Sequence, residues 1–223
     1  MHNDFIKVNG LIILYSFWRK KPIYRAGREI GMSAWIEMVP VEEARGLLKE
    51  YYEKALTPSG TVDNVMRVHS LRPQTMNGHV VLYRSVMHNP ENALPFWFLE
   101  VVASYTSIAN DCEYSLTHHF MNVRRLIDDE ERSNAIFTAL KAARPEDVFE
   151  GKNLALLRYA HKLTTDVGGM VKSDIDVLRA AGCGDGEILE VNQVCAYFNY
   201  SNRLLNGLGV TTEGDVIGYY EGD

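Results

Sequence analysis

Four residues in the middle of the sequence have the types and the spacing of a catalytic site. Cys112, Ser115 and His119 follow one another at helical intervals, and Glu100 precedes Cys112 by twelve positions. On a helix that turns about 100° per residue, positions 112, 115 and 119 share one face. An imidazole four residues from a thiol or hydroxyl can exchange a proton with it, directly or through water. The spacing therefore predicts proton-transfer chemistry on one helix face.

A carboxylate completes this relay when the chain reverses between it and the helix. The dipeptide Asn110-Asp111 offers good N-cap residues, so the sequence predicts a reversal there and a helix that begins at Cys112. The reversal would bring Glu100 against His119, where the carboxylate orients the imidazole and balances its charge. The positive end of the helix dipole would favour thiolate at Cys112. Adjacent His118 points about 100° away and is not expected to take part.

Spacing alone leaves structural alternatives open for each of these side chains. A cysteine in the first turn of a buried helix is often a small packed hydrophobe rather than a nucleophile. His119 also suits a hydrogen-bonded core position, and Glu100 suits the solvated face of its helix. Glu100, Cys112 and His119 are together three ligands of the kind that zinc accepts, but the sequence shows no fourth. We therefore predict no metal and no bound cofactor.

The elements that must position these residues have helical patterns throughout. Apolar residues recur at helical spacing, and prolines and glycines separate the segments. Pro95 suits the start of the helix that carries Glu100. We recognise no period-two alternation and no hairpin signal such as Asn-Gly between apolar runs. The pattern predicts an all-α fold of about seven or eight helices, in the segments 41–52, 74–87, 95–109, 112–126, 133–143, 153–165, 173–181 and 187–208, with a further short stretch at 64–70 that ends before Pro73.

Length and composition favour one compact domain. The chain has 223 residues, of which 46% are hydrophobic and 23% are charged, which suits a full core rather than a disordered or fibrous chain. Residues 1–31 differ in character from the rest, and Met32 begins a more regular pattern. We therefore predict an N-terminal extension over 1–31, outside the core, and a single domain over 32–223. The basic cluster Arg19–Lys21 follows an apolar run, which is the reverse of signal-peptide order, so export is not expected.

The net charge and the number of cysteines indicate which classes of partner and which cellular compartment are expected. The formal net charge is −6, so the chain lacks the cationic surplus of nucleic-acid-binding proteins. No apolar run approaches the ~18 residues that span a bilayer, and a membrane partner is not expected. Three widely spaced cysteines do not form a disulfide framework, which favours reduced thiols in the cytoplasm. Cys195 has apolar neighbours and is predicted to be packed, whereas Cys183, between glycines, is predicted to be exposed.

At the residues that carry the chemistry, the chain resembles a known family. The segment Cys112-Glu113-Tyr114-Ser115-Leu116-Thr117-His118-His119, with Glu100 ahead of it, matches in spacing the pattern of a Glu, eleven residues, then C-x-x-C-x-x-x-H. That pattern is typical of the alkylhydroperoxidase D and carboxymuconolactone decarboxylase family. Flanking segments 64–67, 70–73, 82–84, 198–203 and 207–210 resemble its branch of uncharacterised peroxidase-related proteins. The resemblance covers residues 34–210.

The resemblance implies an all-helical alkylhydroperoxidase D-like domain that assembles as a homo-oligomer and acts as a thiol peroxidase, an antioxidant oxidoreductase. In the family the second cysteine attacks the peroxide, and the first cysteine resolves the resulting sulfenic acid. Matched by position, the attacking thiol falls on Ser115 and the resolving thiol on Cys112. A serine hydroxyl cannot reduce a peroxide, because its oxygen has no accessible state comparable to sulfenate. The two-cysteine catalytic cycle of the family therefore cannot operate at this site.

Three hypotheses about function follow from that departure. In the main one, hydrogen peroxide or an organic peroxide oxidises Cys112, and Cys195, Cys183 or an external thiol reductant restores it, giving a one-cysteine peroxidase of lower efficiency. In the second, Glu100 and His119 carry acid-base chemistry on a small organic acid, as the decarboxylase side of the family implies. In the third, the fold persists in a non-catalytic family member.

Overall fold

The chain divides into two compact units, Met1–Met32 and Ser33–Asp223. A computed structural model describes residues 5–8, 11–14 and 33–219. Most of the predicted extension over 1–31, with its basic cluster Arg19–Lys21, lies outside these residues. The two units are therefore described separately, and the predicted site residues all belong to the second unit.

The second unit is built from α-helices, so the predicted all-α class is confirmed for residues 33–219. Three single turns of 3₁₀-helix, at Val41–Glu43, Pro145–Asp147 and Val167–Gly169, separate some of them. The helices are α1 (Gly46–Lys54), α2 (Asn64–Arg67), α3 (Pro73–Met87), α4 (Phe96–Ala109), α5 (Glu113–Ile127), α6 (Glu130–Lys141), α7 (Gly151–Thr165), α8 (Lys172–Ala180) and α9 (Asp185–Gly207).

Two predicted helices are shorter than their patterns indicate. The segment 41–52 is not one helix: the 3₁₀ turn Val41–Glu43 ends at Ala44, whose backbone is extended, and α1 begins at Gly46. Gly46 has a φ of +54°, a left-handed conformation that glycine adopts without steric penalty. The segment 64–70 is helical only over Asn64–Arg67. Pro73 begins the separate helix α3, and a proline keeps the residue before it, here Arg72, out of the helical conformation.

The first unit contains a two-stranded antiparallel sheet, and here the sequence prediction was wrong. Strand β1 (Phe5–Val8) pairs with β2 (Leu11–Leu14) in a register that places Phe5 opposite Leu14. The dipeptide Asn9-Gly10 stands between the two apolar runs in the sequence. Asn-Gly is the strongest short-range signal for a two-residue hairpin loop. The sequence therefore contains a hairpin signal, and the prediction of no hairpin is wrong.

Helix α4 is the central element of the helical unit. Residues 98–107 are buried without interruption, and the helix packs against α5, α7 and α9. Its sequence is apolar enough to be covered on every side, with Glu100 as its one acidic or basic residue. Among the helices that the structure describes, none has both the length and the apolar character that a bilayer crossing requires. The carboxylate of Glu100, on this buried helix, must therefore be hydrogen-bonded by other groups inside the protein.

The segment that follows α9 returns to α2 and supplies polar groups to that region. The side-chain amide nitrogen of Asn64 donates to the carbonyl oxygens of Thr211 and Glu213, at 2.9 Å each. The backbone N–H of Asn64 donates to Asp215 Oδ1 at 3.0 Å. These hydrogen bonds hold the segment against the start of α2 and bring Asp215 and Tyr219 beside the site described next.

Candidate active site

A tight turn between α4 and α5 sets the positions of the predicted site residues. Asp111 has a φ of +52°, a left-handed conformation in which Asp is several-fold enriched. The backbone N–H of Cys112 donates to the carbonyl oxygen of Ser107 at 2.9 Å. Helix α5 begins at Glu113, so Cys112 is its N-cap residue. The prediction that Asn110 or Asp111 caps a helix starting at Cys112 is therefore wrong by one residue.

Glu100 and His119 form a hydrogen-bonded pair across α4 and α5. Glu100 Oε2 lies 2.6 Å from His119 Nδ1, and the Glu100 side chain is fully buried while 15% of the His119 side chain is exposed. Because an ionised carboxylate only accepts hydrogen bonds, Nδ1 carries the proton and Nε2 remains as the basic ring nitrogen. The structure thus brings these two predicted residues together, and Glu100 is not on a solvated helix face.

Asn122 completes the surroundings of Glu100, and we did not predict it. It lies three residues after His119 on α5, and its side-chain amide donates to Glu100 Oε1 at 3.1 Å. The same helical spacing that groups 115 with 119 also places 122 on this face, so the signal was available. Each oxygen of the buried carboxylate accepts one hydrogen bond, which offsets the loss of hydration.

Ser115 takes the position of the attacking thiol in the family pattern and is linked to α4. It is buried, and Ser107 donates to Ser115 Oγ at 2.9 Å. The Ser107 oxygen also lies 2.8 Å from the carbonyl of Ala103, and its single proton serves one of these acceptors at a time. When Ser107 bonds Ser115, the proton of Ser115 is left to donate elsewhere. Ser115 is therefore a neutral hydrogen-bonding group beside His119.

Cys112 is packed as an apolar residue. Its side chain is 1% exposed and belongs to a cluster with Ala34, Val68, Tyr114, Leu205 and Val210. Burial raises the pKa of the Cys112 thiol to about 11, and the backbone N–H groups of Ser115 and Tyr114 lower it by less. The expected effect of the helix N-terminus is present, but burial outweighs it, so the predicted thiolate is not favoured. Within the described residues, no group of three His, Cys, Asp or Glu side chains is placed to hold a metal ion.

The other two cysteines are also buried and reduced. Cys195 is fully buried, as predicted, and Cys183 is 6% exposed, so the prediction of an exposed Cys183 is wrong. Although glycines flank Cys183, the segment packs into the core next to α8 and α9. Burial raises the pKa of both thiols. None of the three thiols therefore has the exposed, electropositive surroundings of a reactive cysteine.

A cavity of about 370 Å³ lies in front of His119 and Ser115, at the small end of the range for ligand pockets. Glu100 lies behind His119, and Cys112 is not among the lining residues. The walls of the cavity combine aromatic and aliphatic side chains with a few polar groups. They are Ala55, Leu56, Thr57, Pro58, Asp63, Val65, Met66, His79, Val80, Tyr83, Arg84, His88, Tyr114, Ser115, His118, His119, Asn122, Tyr197, Ser201, Leu205 and Tyr219.

A second polar group, which we call the carboxylate wall, consists of the cavity-lining residues Asp63, Tyr114, His118 and Tyr219 and of Asp215, which bonds to Tyr114 and does not line the cavity itself. Tyr114 donates to Asp215 Oδ2 at 2.5 Å, and Tyr219 donates to Asp63 Oδ2 at 2.7 Å. His118 stacks on Tyr114, and its Nε2 lies 3.4 Å from Asp215 Oδ2. His118 points away from Glu100 and also lines the cavity; that it is not the partner in the Glu100 relay stays a prediction. Tandem histidines were the only sequence signal for this wall.

Comparison with known proteins identifies the fold. No protein-family model matches the chain, and no curated protein sequence matches it either. Among solved structures, an uncharacterised peroxidase-related protein with an AhpD core from Ralstonia eutropha JMP134 matches with a TM-score of 0.71 at 18% identity, over 82% of this chain and 94% of that one. An uncharacterised peroxidase-related protein from Silicibacter sp. TM1040 matches with a TM-score of 0.69 at 23% identity, over 82% and 93% of the two chains.

A third similar structure contains a ligand. The debrominase Bmp8, as a variant in complex with 2,3,4-tribromopyrrole, matches with a TM-score of 0.63 at 16% identity, over 79% of this chain and 90% of that one. At these identities the likenesses show the fold alone. The chain has the alkylhydroperoxidase D fold, which confirms the fold that the resemblance in the sequence predicted.

Proposed function

We propose that this protein is a proton-transfer enzyme that acts on a small organic molecule, with His119 as the acid-base group and Glu100 as the residue that orients it. One observation carries this proposal: the 2.6 Å hydrogen bond from His119 Nδ1 to the buried Glu100, beside a cavity that His119 and Ser115 line. A carboxylate that holds one ring nitrogen leaves the other nitrogen to act on a ligand.

The proposed reaction moves one proton and needs no oxidant. Nε2 of His119 removes a proton from a C–H or O–H of the bound molecule, and the pair of electrons stays on the molecule. The imidazolium charge is balanced by Glu100, which Asn122 keeps in place. His119 then returns the proton to a different atom, which gives an isomer. Where the proton removed is that of a carboxylic O–H, the carboxylate leaves as carbon dioxide and His119 returns the proton to the carbanion that remains. Ser115 stabilises charge on a neighbouring oxygen by donating its hydroxyl proton.

The placement of Cys112 argues against the one-cysteine peroxidase that the sequence favoured. A peroxidatic thiol must be ionised and must meet the peroxide, whereas Cys112 is 1% exposed, has its pKa raised to about 11 and does not line the cavity. In the acid-base alternative, the groups that touch the substrate, His119 and Ser115, both line the cavity, and Glu100 acts through His119. The names of the two peroxidase-related structures describe those proteins and are compatible with either chemistry.

The similar structure with a ligand supports the size and shape of the proposed substrate. Bmp8 in that complex holds 2,3,4-tribromopyrrole, a small flat ring. The cavity of the present protein has a volume of about 370 Å³ and several aromatic side chains in its wall, which suits a ligand of similar dimensions. We propose that the substrate is a compact cyclic or unsaturated molecule rather than an extended chain.

The test uses proton exchange, because the substrate is defined here by chemistry rather than by name. Lactones and keto acids are incubated with the protein in D₂O, and replacement of C–H by C–D is followed by NMR together with product formation. We expect exchange or turnover that survives in Cys112→Ala and is lost in His119→Gln. Peroxide consumption that disappears in Cys112→Ala, with no His119-dependent exchange, would overturn the proposal.

A further inference from the structure

We infer that Asp63 is a ligand-binding residue, and that this end of the cavity takes an uncharged hydroxyl group of a small molecule, which donates a hydrogen bond to Asp63 Oδ1. The inference deepens the proposed function, on which it rests for the ligand to be a substrate. It concerns the end of the cavity formed by the carboxylate wall, whereas the proposed proton transfer concerns His119.

The two oxygens of Asp63 have different surroundings. Asp63 is 5% exposed and lines the cavity. Its Oδ2 accepts a hydrogen bond from Tyr219 at 2.7 Å, whereas its buried Oδ1 has no hydrogen-bond partner among the residues that the structure describes. Although Asp63 is the N-cap of α2, its side chain makes no capping hydrogen bond. A buried carboxylate oxygen without a donor is unfavourable, so a donor from a ligand would be stabilising.

The charges around Asp63 select against an anion at this end of the cavity. Burial raises the pKa of Asp63, Tyr219 lowers it and the charge of Asp215 raises it again, while His118 and His119 lower it by less. Asp215 accepts a hydrogen bond at 3.0 Å from the backbone N–H of Asn64, the residue that follows Asp63, so the two acidic residues are neighbours. A carboxylate group on the ligand would add a third negative charge to a site with low solvent access. A neutral donor avoids that repulsion.

A positive side chain lines a different part of the cavity. Among its described lining residues, Arg84 is the one with a permanent positive charge; it is exposed and donates to the carbonyl oxygen of Lys54 at 3.2 Å. A ligand that carries a carboxylate therefore binds it towards solvent near Arg84 and not at Asp63. The carboxylate wall remains the end that recognises a hydroxyl group.

A second atom of the carboxylate wall, His118 Nε2, favours a ligand hydroxyl group over a ligand group that can only donate a hydrogen bond. The Nε2 atom of His118 is buried and makes no hydrogen bond in the described part of the chain, although it lies at ion-pair distance, 3.4 Å, from Asp215 Oδ2. A hydroxyl group both donates and accepts, so it complements Asp63 as acceptor and His118 as donor. The aromatic rings of Tyr83 and Tyr197 in the same cavity suit a flat apolar body. Phenols have both properties.

The wild-type protein can be tested with three probes that share one ring. Phenol, anisole and benzoate are titrated against the folded protein by ligand-observed NMR, and dissociation constants are compared. Phenol and anisole differ by the O–H donor, and a hydrogen bond to a charged acceptor supports a preference of about tenfold or more for phenol. Equal affinity for phenol and anisole, or benzoate as the tightest ligand, would overturn the inference, whatever the variants show.

Variants then assign the preference to Asp63. In Asp63→Asn, the amide oxygen accepts from Tyr219 and the amide N–H₂ meets the ligand, so phenol loses its advantage over anisole. The matched control is Asp128→Asn, which makes the same change at an exposed position and keeps the preference. A preference for phenol that persists in folded Asp63→Asn would refute the role of Asp63. Proton exchange and the phenol preference are measured separately on the wild-type protein. A phenol preference without exchange contradicts only the proposed function, and exchange without a phenol preference contradicts only this inference.

Discussion

The reactivity of Cys112 is the measurement that separates acid-base chemistry from thiol chemistry in this protein. We expect Cys112 of the folded protein to react with iodoacetamide at pH 7.5 far more slowly than the same residue in the unfolded chain. The reason lies in two features of the structure. The pKa of the thiol is raised from 9.0 to about 11 by burial, and only 1% of its side-chain surface is exposed.

The size of the effect follows from these two features. A rise of two pKa units lowers the thiolate fraction by about 100-fold, and the greater nucleophilicity of a more basic thiolate restores about tenfold of that loss. Ionisation alone therefore slows the reaction about tenfold. Because the thiol is buried, the reagent also needs a local opening of the structure, and each 1.4 kcal/mol of opening free energy slows labelling by about another tenfold. We expect a total of about 100-fold or more.

The assay follows the mass of each cysteine-containing peptide over time, in buffer and in guanidinium chloride. Cys183 and Cys195 provide internal references, because both are buried and have raised pKa values. Parallel samples with an organic hydroperoxide in place of iodoacetamide report on sulfenic acid at Cys112. Labelling of Cys112 in the folded protein within tenfold of the unfolded rate, or its rapid oxidation by peroxide, would refute the reasoning and favour the one-cysteine peroxidase.

Three further predictions test the pair and its surroundings. Ser115→Cys supplies the second thiol of the family pattern, so peroxide consumption with dithiothreitol should rise above wild type and fall about 10²-fold when His119→Gln is added. Glu100→Gln leaves one acceptor for the two donors His119 and Asn122, so chemical denaturation should show a loss of about 1–3 kcal/mol together with weaker proton exchange. Burial lowers the pKa of His79 in the folded protein to about 3, so on acidification His79 is protonated in the unfolded chain before it is protonated in the folded one. The free energy of unfolding should therefore decrease as the pH is lowered from 6.5 to 3, by up to about 1.4 kcal/mol per pH unit. The decrease should be smaller in His79→Gln.

The sequence predicted the helices best where local signals agree. Pro95 and an apolar run predicted α4 with Pro95 in its first turn and an end near Ala109; in the structure Pro95 is the N-cap and the helix is Phe96–Ala109. The chain reversal after α4 was also predicted, and with it the contact of Glu100 with His119. The start of α5 was misplaced, since Asp111 adopts a left-handed conformation that nothing in the residue order distinguishes from a cap.

The carboxylate wall could not be predicted, because its parts come from distant segments. Asp63 lies 156 residues from Tyr219, with which it shares a hydrogen bond, and no periodicity connects them. The burial of Cys112 depends likewise on Ala34 and Val210, which close over it from both ends of the helical unit. Cytoplasmic location and assembly as a homo-oligomer stay predictions of the sequence.

The buried carboxylate of Glu100 has a consequence for how the helices assemble. Around it, α4 is apolar, and apolar surfaces slide past one another with little preference for one alignment. Only one alignment of α5 places His119 and Asn122 against the two oxygens of Glu100. A shift of α5 by one residue along α4 would leave the buried carboxylate of Glu100 without hydrogen-bond donors among apolar residues such as Leu99, which is unfavourable by several kcal/mol. We therefore expect Glu100 and His119 also to fix the alignment of α4 against α5, so that replacing either residue makes the packing of the two helices less specific and also lowers activity.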